Sequence, residues 1–340
     1  MKPLRVLALM HPELVPGDDR RRLSQQEAAE SKTEYDVVRT LRAAGHEVHP
    51  LGVQYELFPI RDVIDQLKPH IVFNLLEEFH GEVLFDQNVV SFLELLHMPY
   101  TGCNPRGLVI SRGKALSKKL VAYHRIRVPD FAVFPIGQKV RRPAHLKFPL
   151  IVKSLIEHAS VGIARASVVD SDDKLAERVS FVHERLGTDA IAEQFIEGRE
   201  LYVSVLGNER LAVFPIWELV ARNRAEGEPL IATAKVKHDT EYQERHGIVI
   251  GRAEIPAELA ARMARAARRI YKILELSGYA RLDFRLDAAG NFFFLEANPN
   301  PEIAEQEEFA EAASAAGVPY PALLERILTL GLRQRRPASM

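Results

Sequence analysis

Short, nearly continuous apolar runs, RVLALM (5–10), HEVHPLGV (46–53) and HIVFNLL (70–76), alternate with segments of helical period near 32–45, 58–67 and 83–96. Strand-like runs alternating with helices predict a parallel sheet with right-handed crossovers, an N-terminal α/β domain over residues 1–103. After a break at PYTGCNPRG (99–107), the helical KALSKKLVAYH (114–124) and the strand-like FPLIVKS (148–154) open a smaller β-rich unit, set at 104–196. From GRELYVSVLGNERLAVFPIWEL (198–219) the pattern becomes paired strands, a long helix over 255–276, a hairpin over 281–298 and a last helix near 320–332. This third unit, 197–340, reads as α+β. Its polar stretch over about 218–248 is predicted to be a lid loop, since connections of that length are usually functional or disordered.

The hairpin RLDFRLDAAGNFFFLEANPN (281–300) carries the chemistry. With its turn at DAAGN, where Gly290 accepts positive φ, residue 285 is expected opposite 294, 283 opposite 296 and 281 opposite 298. Alternation then puts Leu282, Phe284, Leu286, Phe293, Leu295 and Ala297 on one face and Arg281, Asp283, Glu296 and Asn298 on the other. Two carboxylates roughly 5 Å apart repel by roughly 3 kcal/mol at an effective dielectric near 20, more than a cross-strand pair normally returns. A divalent cation would offset that repulsion. Two carboxylates and an amide oxygen, with no soft ligand, suit Mg²⁺ or Mn²⁺. The alternative is a solvated acidic patch in which Arg281 bridges the acids and a bulge shifts the register.

Composition narrows the partners. Lys plus Arg number 45 and Asp plus Glu 46 among 340 residues, so net charge offers no general attraction to nucleic acid or anionic membrane. No stretch approaches the roughly 18 apolar residues of a membrane span, and the cytoplasm is the expected compartment. The single Cys103 excludes an internal disulfide and reads as a buried bystander; the twelve histidines show no paired metal-ligand spacing. No GxGxxG occurs, and GLVISRGKA (107–115) lacks the spacing and the Ser or Thr of a P-loop. Lys153, at the end of FPLIVKS and before a small-residue turn with Ser160 and Gly162, is the remaining candidate for a phosphate contact.

Five segments in order, HGEVLFDQNVVSFLELLHMPYTG (80–102), SRGKALSKKL (111–120), FPLIVKS with EHASVGI (148–163), IAEQFIEGRELYVSVLGN (191–208) and RLDF with LEANPN, resemble the ATP-grasp superfamily, D-alanine–D-alanine ligase branch. The resemblance implies a two-lobed ATP-grasp fold after the N-terminal domain, with ATP between the second and third units. It implies that Lys114 and Lys153 contact phosphates, that Ser160, Val161 and Gly162 cover the terminal phosphate, and that Glu193, Gln194, Phe195 and Ile196 meet adenine. Glu200 would accept from the ribose, Asp283, Glu296 and Asn298 would hold Mg²⁺, Arg281 would lie over an acyl phosphate, and Lys235 would reach in from the lid. The implied reaction joins a small-molecule carboxylate to an amine, with ADP and phosphate released. Family members are commonly dimers, which leaves a homodimer open.

The departures concern the substrates. Where the ligases carry a glycine-rich segment with serine and glutamate, this chain reads MHPELVPGDDRRRLSQQEA (10–28). Ala159 and Val236 replace members of a serine-tyrosine-glutamate network, which therefore cannot form. Past the metal ligands, Glu302 stands in place of glycine and Glu307 near the serine that binds the acceptor carboxylate. These acids predict an acceptor without a nearby carboxylate, or one with an added cationic group paired to Glu302, Glu305 or Glu307. Against this, acids before a helix can simply stabilise its first turn. His80 matches a histidine near the donor site, or is structural. A D-alanine–D-alanine ligase with relaxed motifs, an ATP-grasp kinase and a catalytically silent nucleotide sensor are the competing readings.

Overall fold

The structure is a computed structural model, and it describes residues 2–17, 31–156, 162–223, 231, 236 and 240–334. Among these residues the chain forms three sheets. The first holds β1 (Arg5–Met10), β2 (Glu47–Gly52) and β3 (Ile71–Asn74), parallel in the order β2-β1-β3. Helices α1 (Lys32–Ala43) and α2 (Phe58–Leu67) connect these strands, and α3 (Asp86–Leu95) follows β3. β3 ends earlier than the apolar run suggests. The amide of Asn74 turns to Thr101 Oγ1 at 3.0 Å, and the chain leaves the sheet for the central cleft.

The expected break at 99–107 is a helix start. Asn104 accepts from the Gly107 amide at 3.0 Å, Pro105 occupies the first turn, and α4 (Pro105–Arg112) runs directly into α5 (Lys114–Tyr123). Gly107 permits the packing, because a Cβ there would lie 2.5 Å from Cys103 Sγ and 2.9 Å from the Glu275 carbonyl. Cys103 is buried, and burial pushes its thiol up to about 12.

The second sheet, β4 (Phe131–Phe134), β5 (Leu150–Ser154), β6 (Val168–Val169) and β7 (Ala190–Gln194), is antiparallel in the order β4-β7-β5-β6. Helix α6 (Asp172–Leu186) covers it, capped by Ser171 and by acids in its first turn, and ended by Gly187 at φ 66°. Leu175, Val179 and Val182 of α6 pack on Leu150, Val152 and Ala192 in a core of their own.

The third sheet runs β11-β10-β8-β12-β13, with β9 (Ala212–Val213) beside β8 (Arg199–Leu206). Its other strands are β10 (Trp217–Ala221), β11 (Ile248–Arg252), β12 (Tyr279–Leu286) and β13 (Phe292–Asn298); α7 (Thr240–His246), α8 (Ala257–Ile273), α9 (Glu308–Ala315) and α10 (Tyr320–Leu332) complete the chain.

Two features of the packing cut across a division at 104 and 197. Leu108 and Val121, on α4 and α5, share one core with Leu7 and Val72 of the first sheet and Val203 and Leu282 of the third. The core particular to the small sheet begins only at β4. Leu323, Leu324 and Ile327 of α10 return to pack with Val6, Ala8 and Phe73 of the first sheet. Described helices include none long and apolar enough to cross a membrane.

Candidate active site

The hairpin pairs Asp283 with Glu296 and Arg281 with Asn298, the register expected from its turn. Beyond Asp283 the register shifts. Phe284 faces Phe294 and Arg285 faces Phe293, so the expected pairing of 285 with 294 does not occur. Leu295 is the extra residue of a β-bulge. Because side chains alternate with a period of two, one inserted residue exchanges the faces on the turn side. The apolar face therefore carries Phe292 and Phe294, with ring centroids 5.9 and 6.0 Å from Phe284, in place of the expected Phe293 and Leu295. Leu295 instead faces the cleft, and its carbonyl accepts from Lys118 Nζ. The turn itself pairs Leu286 with Phe292, one residue off the expected start of the ladder, and the bulge restores the register that sets the two acids opposite each other.

Each acid is given a cation. Asp283, 3% exposed, takes Arg281 Nε at 2.7 Å and Nη2 at 3.0 Å, and Asn298 Nδ2 donates to it at 3.2 Å. Arg281 also reaches Glu308 at 3.4 Å, and these acids hold its pKa well above the ordinary value against the effect of burial. Glu296 lies 3.7 Å from Lys114 Nζ. The acids are thus not bridged by Arg281, which pairs with one of them. A carboxylate has about four lone-pair sites, so Asp283 retains acceptor capacity beside the arginine. Asp283, Glu296 and the amide of Asn298 form a hard oxygen set that fits Mg²⁺ or Mn²⁺.

A second layer of charge backs this pair. Glu193, 1% exposed, is held by Lys118 at 3.0 Å and Lys153 at 3.3 Å. Burial lowers Lys114 and Lys118 below the ordinary lysine range, against the pull of Glu296 and Glu193 respectively. For Lys153 burial is outweighed by Glu193, Glu296 and Glu200, and its pKa is raised. Three lysines, Lys114, Lys118 and Lys153, are thus held beside Glu193 and Glu296. Lys118 was not singled out from the sequence, although it lies four residues after Lys114 on the same face of one helix.

A small cavity of about 50 Å³ opens between the second and third sheets, lined by Lys153, Glu193, Gln194, Phe195, Ile196 and Glu200. Asp283 and Glu296 close one side of it, and Ile151, Phe195 and Ile231 form an apolar wall. Gln194 and Phe195 are fixed by backbone bonds to Asp130 at 2.8 Å and Pro149 at 2.9 Å. Glu200 accepts from Arg285 at 2.9 Å and Tyr202 at 3.1 Å. Gly162, at φ 69°, presents its carbonyl to Arg178, and a Cβ there would lie 2.8 Å from Leu186. Ser160, Val161 and Lys235 lie outside the described residues, as do Ala159 and the run 18–22. Val236, where the family network would have a partner, is buried against Tyr202 and Leu219.

A larger cavity of about 220 Å³ lies past the metal-type ligands. Arg281, Glu296 and Asn298 stand at one end; Glu77, Glu302, Glu307 and Glu308 supply the rest of its acids, and Arg112 is its second cation. Glu307 pairs with Lys32 at 2.7 Å, while Glu305 turns out to Arg39 at 2.5 Å. Helix α9 begins only at Glu308, so Glu302 and Glu305 are not acids of its first turn. His80 sits exposed in a turn at φ 62°, its ring against Tyr55 at 5.0 Å, and lines neither cavity.

A family model described as D-ala D-ala ligase C-terminus matches residues 120–329. The chain belongs to the D-alanine–D-alanine ligase family. The D-alanine–D-alanine ligase of Aquifex aeolicus is 30% identical over 298 residues, covering 88% of this chain and 94% of the relative. That of Syntrophotalea carbinolica is 30% identical over 308 residues, covering 90% and 92%. The crystal structure of the Bacillus anthracis ligase complexed with ATP superposes with a TM-score of 0.73 at 25% identity, over 97% of this chain and 98% of that one. The N-terminal parallel sheet followed by two antiparallel sheets is the ATP-grasp arrangement of this family.

Outside the lining of the acidic cavity lies a group that sequence reading missed. Glu34, in the first turn of α1, is 5% exposed, and its Oε2 is buried with no hydrogen-bond partner among the described residues. Burial, with Glu77 and Glu302 adding like charge, pushes it up to about 7. Glu302 is exposed, and the surrounding protein, then Glu307 and Glu77, push its pKa upward. A first-turn acid gains about 0.3 to 1 kcal/mol from the helix dipole, whereas a buried acceptor left unsatisfied costs about 1 to 3 kcal/mol. Helix stabilisation therefore does not account for Glu34.

Proposed function

We propose that the protein is an ADP-forming ligase that activates a carboxylate with ATP and joins it to an amine other than D-alanine. Family membership makes it an ATP-dependent ligase forming carbon–nitrogen bonds. The observation that carries the reading is the in-register pair Asp283 and Glu296, set in a cleft whose opposite wall supplies Lys114 and Lys153. We assign adenine to the pocket formed by Glu193 to Ile196 and the ribose to Glu200. The phosphates are assigned to Lys114, Lys153 and the turn Ser160 to Gly162, and Lys235 to their covering. Asp283, Glu296 and Asn298 would hold Mg²⁺, which neutralises charge on the transferred phosphoryl group. In the first step the donor carboxylate oxygen bonds to the γ-phosphorus and the bridging O–P bond breaks, releasing ADP. The amine nitrogen then bonds to the acyl carbon, the carbon–oxygen bond to phosphate breaks, and the nitrogen loses a proton. Arg281 stands beside the metal-type ligands at the entrance to the second cavity and is assigned to the acyl phosphate oxygens. Catalysis of this kind is chiefly positioning and electrostatic stabilisation.

The acceptor assignment is supported by the five carboxylates facing two guanidiniums around the larger cavity. An acceptor carboxylate entering there meets like charge. The competing reading, a genuine D-alanine–D-alanine ligase, is favoured by the names of the relatives. ATP as co-substrate is the reason to assign the cytoplasm. The test is ADP release with mass detection over a panel of carboxylates and amines, with Glu296→Gln as control. Robust turnover with D-alanine alone would overturn the acceptor assignment, and wild-type turnover in Glu296→Gln would overturn the site.

A further inference from the structure

The turn of the β12–β13 hairpin sets a register that would misplace Glu296. Leu286 faces Phe292, Arg285 faces Phe293 and Phe284 faces Phe294. Continued without a break, this ladder would set Asp283 opposite Leu295 and Leu282 opposite Glu296. A slip of one residue exchanges the two faces of a strand, so the Glu296 carboxylate would turn toward the apolar face and away from Asp283. The bulge at Leu295 prevents this. β13 is the edge strand of its sheet, so among the described residues no further strand is bonded along its outer side. Two bonds from outside the sheet meet the chain there. The Phe294 amide donates to the Arg127 carbonyl at 2.9 Å, and the Leu295 carbonyl accepts from Lys118 Nζ.

Lys118 is 1% exposed, and an ammonium taken out of water is costly unless it is paired and its protons find acceptors. Glu193 supplies the counter-charge at 3.0 Å. The needs of Glu193 do not by themselves explain a second lysine, since Lys153 also meets it at 3.3 Å. What Lys118 adds is the bond to the bulge carbonyl, one residue before Glu296. Resting on the ligase reading above, we infer that Lys118 is a positioning residue for Glu296: through the Leu295 carbonyl it holds the bulge that turns the Glu296 carboxylate into the cleft, with Glu193 as its counter-ion. Its support is firm, because Val121 of the same helix packs in the core shared with the first and third sheets. Helix α5 thus acts on Glu296 twice, through the strand backbone by Lys118 and beside the carboxylate by Lys114 at 3.7 Å. Groups that fix a metal ligand from behind tune how well the metal is held.

Lys118→Met alone leaves the buried Glu193 with one cation fewer and can fail to fold, so the test compares Glu193→Gln with Lys118→Met/Glu193→Gln, both on the full chain and both checked by circular dichroism. Calorimetry measures the affinity of β,γ-methylene ATP, a non-hydrolysable analogue, in excess Mg²⁺ and again in EDTA; the ratio of the two isolates the contribution of the metal. We expect Mg²⁺ to tighten binding at least ten-fold in Glu193→Gln, and that ratio to fall by about five-fold or more in the double variant. A smaller fall, or an equal loss of affinity with and without Mg²⁺, overturns the inference, because a lysine that only neutralises Glu193 or supports the fold leaves the contribution of the metal untouched. The wild-type protein is titrated in parallel. Its failure to bind the analogue in Mg²⁺ would overturn the ligase reading itself, whereas binding with an unchanged ratio in the double variant sinks only the role of Lys118.

Discussion

The two cavities on either side of the Asp283–Glu296 pair hold their acids differently. On the nucleotide side each carboxylate has a cation close by: Glu193 with Lys118 and Lys153, Glu200 with Arg285, Glu296 with Lys114. On the other side Glu307 pairs with Lys32 and Glu308 with Arg281, while the exposed Glu77 and Glu302 and the buried Glu34 make no ion pair among the described residues. In the first arrangement each acid is held in place by a partner already in the fold. In the second, exposed acids are left to solvent. The difference teaches that one cleft can be rigid toward the common substrate and selective toward the variable one, using only the placement of counter-charges.

The largest effect should come at the boundary between the two. Glu296→Gln removes a metal-type ligand while keeping shape, and we expect kcat to fall by roughly 10² to 10³, the range for losing one electrostatic partner of a transition state. Its melting temperature should stay close to wild type; a collapse of the melt would break the claim that Glu296 is functional more than structural. Next, Lys118→Met leaves Glu193 with one cation fewer in a buried setting, which costs about 3 to 5 kcal/mol when a buried pair is broken. Urea unfolding measures this, and adding Glu193→Gln should recover part of the loss. Full additivity in that double-mutant cycle would deny the coupling.

The acidic side should respond with the opposite sign. Glu34 has a folded-state pKa raised to about 7 from an ordinary 4.5, so its stability contribution is intact below about 4.5 and is lost as pH rises through about 7. Glu77 and Glu302 are the charged groups that bear on it. Glu34→Gln should therefore be more stable than wild type at pH 8, by at most a few kcal/mol at about 1.4 kcal/mol per pKa unit, with the gap closing toward pH 5. A gap that widens at low pH would contradict the assignment. The smallest effect is on selectivity: Glu302→Gln should raise use of D-alanine relative to 1-aminobutane by about ten-fold, or about 1.4 kcal/mol, in ADP-release assays.

Much of this was legible in the chain. The sequence expected Asp283 opposite Glu296, and they are, but through a turn one residue off the expected one and a bulge that makes up the difference. The bulge at Leu295 was not legible, because NFFFLEA has apolar residues at every nearby position and alternation alone cannot tell which one is extra. Its cause is distant: the Phe294 amide bonds to the Arg127 carbonyl at 2.9 Å, and Lys118 takes the Leu295 carbonyl. The helix start at Asn104 and Pro105 carried a local signal, a capping residue before proline, that was hidden inside a stretch rich in turn formers. Glu34 and Glu77 are separated along the chain and look like ordinary surface acids there.

By itself the sequence determined the alternation of strands and helices and the alternation that puts Arg281 and Asp283 on one face, since these follow from short-range periodicity. The tertiary structure alone decided which acids keep a counter-ion. Charge pairing depends on distance through space, and folding brought Glu77 and Glu302 to one cavity while placing Lys32, Arg112 and Arg281 on other partners.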